Sequence, residues 1–131
     1  MKLLENIRII DLTNVLAGPF ATMHLALLGA EVIKIENPDG GDLARKLGNV
    51  NEYNKQLMGT SFLAQNANKK SITLNLKVPE AKEIFRKLVK TSDVVVENFR
   101  PGVMDRLGFS YEELCKINPK IIYCAISGFG Q

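Results

Sequence analysis

Cysteine and histidine are scarce in this chain of 131 residues, and their scarcity removes several kinds of chemistry at once. The two cysteines, Cys115 and Cys124, have neither the paired spacing of a metal site nor the density of a secreted disulfide scaffold. They read as structural thiols in a reduced, intracellular protein. The single histidine, His24, falls in a helical stretch with no second His, Cys or carboxylate at ligand spacing, so it reads as a helix residue and no metal is expected. Long apolar runs are missing too. None approaches the roughly eighteen residues of a membrane span, and the amino terminus lacks the apolar segment of an export signal. A cytoplasmic location without membrane contact follows. The excess of Lys+Arg 17 over Asp+Glu 14, a formal +3, is too small to argue for nucleic acid. No internal repeat, Ser/His/Asp or Cys/His constellation, or glycine-rich phosphate loop is present, so no residue here is a candidate nucleophile.

What the chain does have is an alternation of β-branched runs and helical periods. Residues 7–12 (Ile-Arg-Ile-Ile-Asp-Leu) predict a buried strand, and a loop from Thr13 to Pro19 follows, with Pro19 as the first residue of a helix that Gly29 ends. Residues 31–36 predict a second strand. From Asn37 to about Thr60 no period emerges, and a loop of that length usually covers a ligand or is disordered. A short helix over 61–66 and an edge or lid strand over 71–76, with strict apolar/polar alternation, come next. Pro79 opens an amphipathic helix through Ala81, Ile84, Phe85, Leu88 and Val89. Residues 93–97 predict a strand buried on both faces. Ser110 and Glu113 have capping-box spacing for a helix ending before Asn118, and residues 121–126 predict a last buried strand. Such alternation builds an α/β fold on a mainly parallel sheet with flanking helices.

Ligands of parallel sheets bind outside the carboxyl ends of the strands. Four such ends are predicted here: Thr13 to Pro19, Asn37 to Asp42, Asn98 to Gly102, and Ser127 to Gln131. Arg100 and Arg106 flank a short turn after one of them, and Lys69, Lys70 and Lys77 lie on a segment that can fold beside it. Forked guanidinium donors suit phosphate, so this cluster predicts an anionic, phosphorylated ligand. Asp11, Asp42 and Asp105 are the carboxylates nearest that rim. Asp42 is expected to cap its turn or to pair with Arg45.

Six segments, in order, carry a resemblance. Asp11-Leu12-Thr13 through Ala17-Gly18-Pro19, residues 28–36, Gly41-Asp42 with Arg45, residues 68–72, residues 96–102 and Ser127-Gly128-Phe129-Gly130-Gln131 resemble the class III coenzyme A transferases, the CaiB/BaiF family, over essentially the whole chain. The resemblance implies a Rossmann-like fold, with residues 1–131 as an incomplete N-terminal part of a larger domain. It implies exchange of coenzyme A between an acyl-CoA and a carboxylic acid in an interlocked homodimer. Coenzyme-binding positions carried over from the family are Leu16, Ala17, Asn37, Leu74, Asn75, Leu76, Lys77, Asn98, Phe99, Arg100 and Arg106. Some members have Gln at the position of Leu16, whose side chain offers no hydrogen bond. The family's nucleophilic Asp falls beyond Gln131, so this segment is expected to grip the coenzyme and to be inactive alone. An acyl-CoA racemase of the same family, or a non-catalytic nucleotide-binding module, would share these features.

Overall fold

The computed structural model describes residues 2–130, and the structural statements that follow concern those residues. Five strands form one sheet: β1 (Arg8–Asp11), β2 (Glu31–Glu36), β3 (Lys70–Thr73), β4 (Val94–Glu97) and β5 (Ile122–Ala125). Their order is β3-β2-β1-β4-β5, and every pairing is parallel. β1 is central, with Ile9 opposite both Val32 and Val94. Its isoleucines alternate between two cores, as the two-residue period of a strand requires. Ile10 joins Val95, Phe85, Phe109 and Leu114 on one face, while Ile9 joins Val32, Val96, Ala26 and Ala30 on the other.

Six helices connect the strands: α1 (Ala17–Leu27), α2 (Asn51–Lys55), α3 (Thr60–Leu63), α4 (Pro79–Lys90), α5 (Val103–Leu107) and α6 (Tyr111–Ile117). α4 places Ala81, Phe85 and Val89 in the core at four-residue intervals, with Pro79 in its first turn where a missing N–H costs nothing. α6 starts at the expected cap, Glu113 N–H donating to Ser110 Oγ over 3.3 Å. α1 lies on the Ile9 face, and α4 and α6 on the Ile10 face. The chain leaves β1 toward one face and β4 toward the other, so a crevice opens between the loops that follow them.

Several boundaries differ from the sequence reading. α1 begins at Ala17, two residues before Pro19, because proline is tolerated anywhere in a first turn whose N–H groups have no partner. The stretch from Asn37 to Thr60 is not structureless: a 3-10 turn (Leu43–Lys46) and α2 fill it. The helix expected over 61–66 is Thr60–Leu63. β3 is an edge strand as predicted but ends at Thr73; Asn75 then turns the chain by accepting from Lys77 N–H over 3.1 Å. β5 is not buried. It forms the other edge, with Ile122 61% exposed. The glycine-rich exit is described to Gly130; Gln131 lies outside the described residues.

Candidate functional site

The loops after β1 and β2 are tied together from below by buried charges, and the Asn98 amide joins the loop after β4 to them. Asp11, at the end of β1, accepts hydrogen bonds from Thr13 N–H and Thr13 Oγ1 at Oδ1 and from Thr22 Oγ1 at Oδ2, and Lys69 Nζ lies 2.9 Å from the same Oδ2. Burial opposes its charge, but Lys34, Lys69 and these hydroxyls prevail and hold the carboxyl below its usual range. Lys34 points from β2 into the same buried region, donating to Thr13 O over 2.7 Å and facing Asp42 Oδ2 at 2.9 Å. A lysine in the middle of a buried strand demands such a counter-charge. Gly18 completes the frame: a Cβ there would fall 2.3 Å from the Thr13 side chain, so only glycine lets α1 approach this closely.

One expectation about charge is met in its first form, and another is corrected. Asp42 does cap its turn, accepting from Ala44 N–H over 2.9 Å, but its cation is Lys34 and not Arg45. Arg45 instead binds Glu36 through Nε at 2.6 Å and Nη2 at 2.7 Å, and its guanidinium stacks 3.7 Å over the Phe62 ring. Lys69 and Lys70 are not ligand cations either. Lys69 is spent on Asp11, Pro19 O and Asn66 Oδ1, and Lys70 pairs with Glu31. Lys77, Arg100 and Arg106 remain exposed at the rim.

Glu36 gives the frame a pH dependence. Burial works against its ionisation, yet hydrogen bonds from Arg45, Ser71 and Asp42 N–H bring its pKa from 4.5 down to about 2. The folded state therefore gains stability that is complete above pH 4.5 and lost as pH falls toward about 2, on the order of 3 kcal/mol. Replacing Arg45 with Met is expected to raise this pKa and flatten the acid limb of a urea-stability profile between pH 5 and pH 2. An unchanged limb would show that Arg45 does not set it.

Above this frame lie two adjoining cavities. One, of about 230 Å³, is lined by Asn37, Leu74, Asn75, Leu76, Lys77 and Phe99 of the expected coenzyme positions, together with Leu12, Asn14, Ile35, Glu36, Val103 and Leu107. The other is lined by Ala17, Asn98, Phe99 and Arg100 with residues 126–128. Phe99 stands between them. Asn98 also ties two loops, donating to Asn14 O over 2.9 Å and accepting from Asn14 N–H over 2.8 Å. Leu16 lines neither cavity and stands 58% exposed at the start of α1. Arg106 is exposed on α5, turned toward Gly102. Sequence reasoning missed Leu12, Asn14, Val103 and Leu107 as lining residues, and the Lys34–Asp42 pair beneath them. A charged residue inside residues 31–36 was the available signal for the pair.

Among the described residues, no group of three or more His, Cys, Asp or Glu is arranged to hold a metal, and no helix is long and apolar enough to cross a membrane. Cys115 and Cys124 are free, and His24 sits on the outer face of α1 with its ring 4.4 Å from that of Phe20.

Comparison with known proteins places this chain in a family. Succinyl-CoA:glutarate CoA-transferase of Mus musculus is 52% identical over 133 residues, covering 100% of this chain and 29% of that protein. Acetyl-CoA:oxalate CoA-transferase of Acetobacter aceti is 53% identical over 127 residues, covering 97% of this chain and 32% of that protein. The chain thus spans under a third of the length of these relatives. Among solved structures, a CaiB/BaiF family protein from Brucella suis superposes with a TM-score of 0.88 at 40% identity, over 98% of this chain and 34% of that one. Rv3272 from Mycobacterium tuberculosis gives a TM-score of 0.88 at 41% identity, over 99% and 34%. With these matches and residues 4–131 fitting the family described as CoA-transferase family III, the chain belongs to that family.

Proposed function

We propose that this segment is the coenzyme grip of a CoA transferase that moves coenzyme A from an acyl-CoA to a carboxylic acid. The observation that carries the reading is the first cavity: Asn37, Leu74 to Lys77 and Phe99 come from three separate loops and line one space. Its size, about 230 Å³, suits one moiety of the coenzyme, since a complete small-molecule site spans ~300–1,000 Å³. Lys77, Arg100 and Arg106 supply exposed cations for the phosphates at its margin. The acyl transfer itself is assigned to residues outside this segment: a carboxylate attacks the thioester carbonyl, the carbon–sulfur bond breaks, and the thiolate leaves with the bonding pair. Holding that thiolate in the crevice keeps its effective concentration high for the return step. The named relatives act on oxalate or glutarate, which favours a dicarboxylic acid as acceptor. A homodimer is part of the same proposal.

Titration calorimetry with CoA tests the grip. Wild-type protein is expected to bind, and Arg106→Ala to bind about fivefold more weakly, as loss of one exposed phosphate contact implies. Equal affinity would remove Arg106 from the site, and no binding by wild type would remove the function.

A further inference from the structure

The loop from Asn14 to Ala17 contains a backbone conformation that its own residues do not favour. Val15 has φ 70°, in the left-handed region, where a β-branched side chain is a genuine outlier. Strain of this kind persists only where the surroundings impose it, and it collects at functional sites. Here the imposing group is visible. Val15 N–H donates to Asp42 Oδ1 over 3.0 Å, and Asp42 is fully buried. Lys34 fixes Asp42 from below and reaches Thr13 O with the same ammonium. Asn98 grips the neighbouring Asn14 by both its N–H and its carbonyl. The result is that Val15 and Leu16, both apolar, are held 40% and 58% exposed beside Ala17, a lining residue of the second cavity. Neither side chain belongs to either hydrophobic core.

We propose that Asp42, seated by Lys34, is a positioning residue: it holds Val15 left-handed and so fixes the Val15–Ala17 loop at the mouth of the coenzyme crevice. The proposal rests on the coenzyme-binding reading for its functional consequence, but the loop geometry is independent of it. Asp42 lines neither cavity, so its loss should misplace the loop without removing a contact to the coenzyme. Misplacement by about an ångström near reacting atoms costs turnover far more than binding.

The test uses the whole enzyme to which this segment is proposed to belong, and follows amide exchange at Val15 together with CoA affinity and turnover of whichever of succinyl-CoA, acetyl-CoA and formyl-CoA the wild type consumes with oxalate or glutarate as acceptor. Asp42→Ala is expected to speed Val15 exchange at least about tenfold. It should lower kcat by about tenfold or more, with the Kd for CoA within about threefold of wild type. Val15→Pro denies the loop both its positive φ and its donor while leaving the Lys34–Asp42 pair in place. It is expected to reproduce the loss of kcat while lowering the melting temperature less than Asp42→Ala, which strands Lys34, whereas Val15→Asn, which tolerates the left-handed region, should keep amide exchange at position 15 as slow as in wild type. Wild-type kcat in Val15→Pro overturns the proposal, even if Asp42→Ala fails to fold. So does unchanged Val15 exchange in a folded Asp42→Ala. A wild-type protein that fails to bind CoA instead overturns the coenzyme reading, and the exchange measurement still decides whether Asp42 holds the loop.

Discussion

Asp11→Ala is expected to cost about 3–5 kcal/mol of folding stability, because it strands a buried cation. The Lys69 side chain is only 2% exposed, and Asp11 is its counter-charge at 2.9 Å. Thr13 loses its acceptor in the same step, and Thr22 loses the shortest of its three contacts. Desolvation already pulls the Lys69 pKa downward, with Asp11 as the main force opposing it, so without Asp11 the ammonium is still less favoured. The double variant Asp11→Asn with Lys69→Met should recover much of the loss, since replacing both partners of a buried pair is far cheaper than removing one. Urea unfolding at neutral pH measures both. By contrast, the exposed Arg86–Glu83 pair, at 3.6 Å, is worth less than about 1 kcal/mol. A loss of that small size in Asp11→Ala would show that the buried network does not hold the frame together.

The second large effect concerns binding. Phe99→Ala is expected to weaken CoA about 30-fold, near 2 kcal/mol, as truncation of a central aromatic anchor commonly does. Phe99 is the one side chain shared by both cavities, and its backbone is fixed by donation to Glu97 Oε2 over 2.7 Å. Glu97 is itself buried and accepts from Tyr123 OH over 2.8 Å; burial and that contact push the Tyr123 pKa up. The ring is thus presented by a rigid base, with little ordering left to occur on binding. Phe99→Leu should retain most of the affinity by filling the same space. Calorimetry reads the affinity, and an alanine variant within twofold of wild type would move the coenzyme away from this crevice.

Much of the frame was legible in the residues because its signals are local. The valines of β4, the isoleucines of β1 and the Ser110 cap each report their own neighbourhood. Pro79 and the four-residue spacing of α4 do the same. What escaped was non-local or lacked an apolar face. None of the residues of α2 is buried, so no hydrophobic period marks it, and the region read as open loop. Lys34 and Asp42 sit eight positions apart with a turn between them, and nothing in their spacing says that they meet. Lys69 and Asp11 are farther apart still. The basic residues at the start of β3, Lys69 and Lys70, looked like ligand cations because charge was counted without knowing where each carboxylate points. The coenzyme positions came from the family resemblance. The structure adds that most of them face two adjoining cavities, while Leu16 and Arg106 stand outside these.

The anchors of the loop after β1 have a further consequence. Lys34 holds it by the carbonyl of Thr13, Lys69 by the carbonyl of Pro19, and Asp42 by the amide of Val15. Asn98 likewise takes Asn14 by its main chain. Because these attachments do not read side-chain identity, residues at the tip of the segment, between Thr13 and Gly18, are free to be exchanged over evolutionary time while its path is kept. A scaffold fastened in this way is open to shifts in substrate preference through single replacements at its tip.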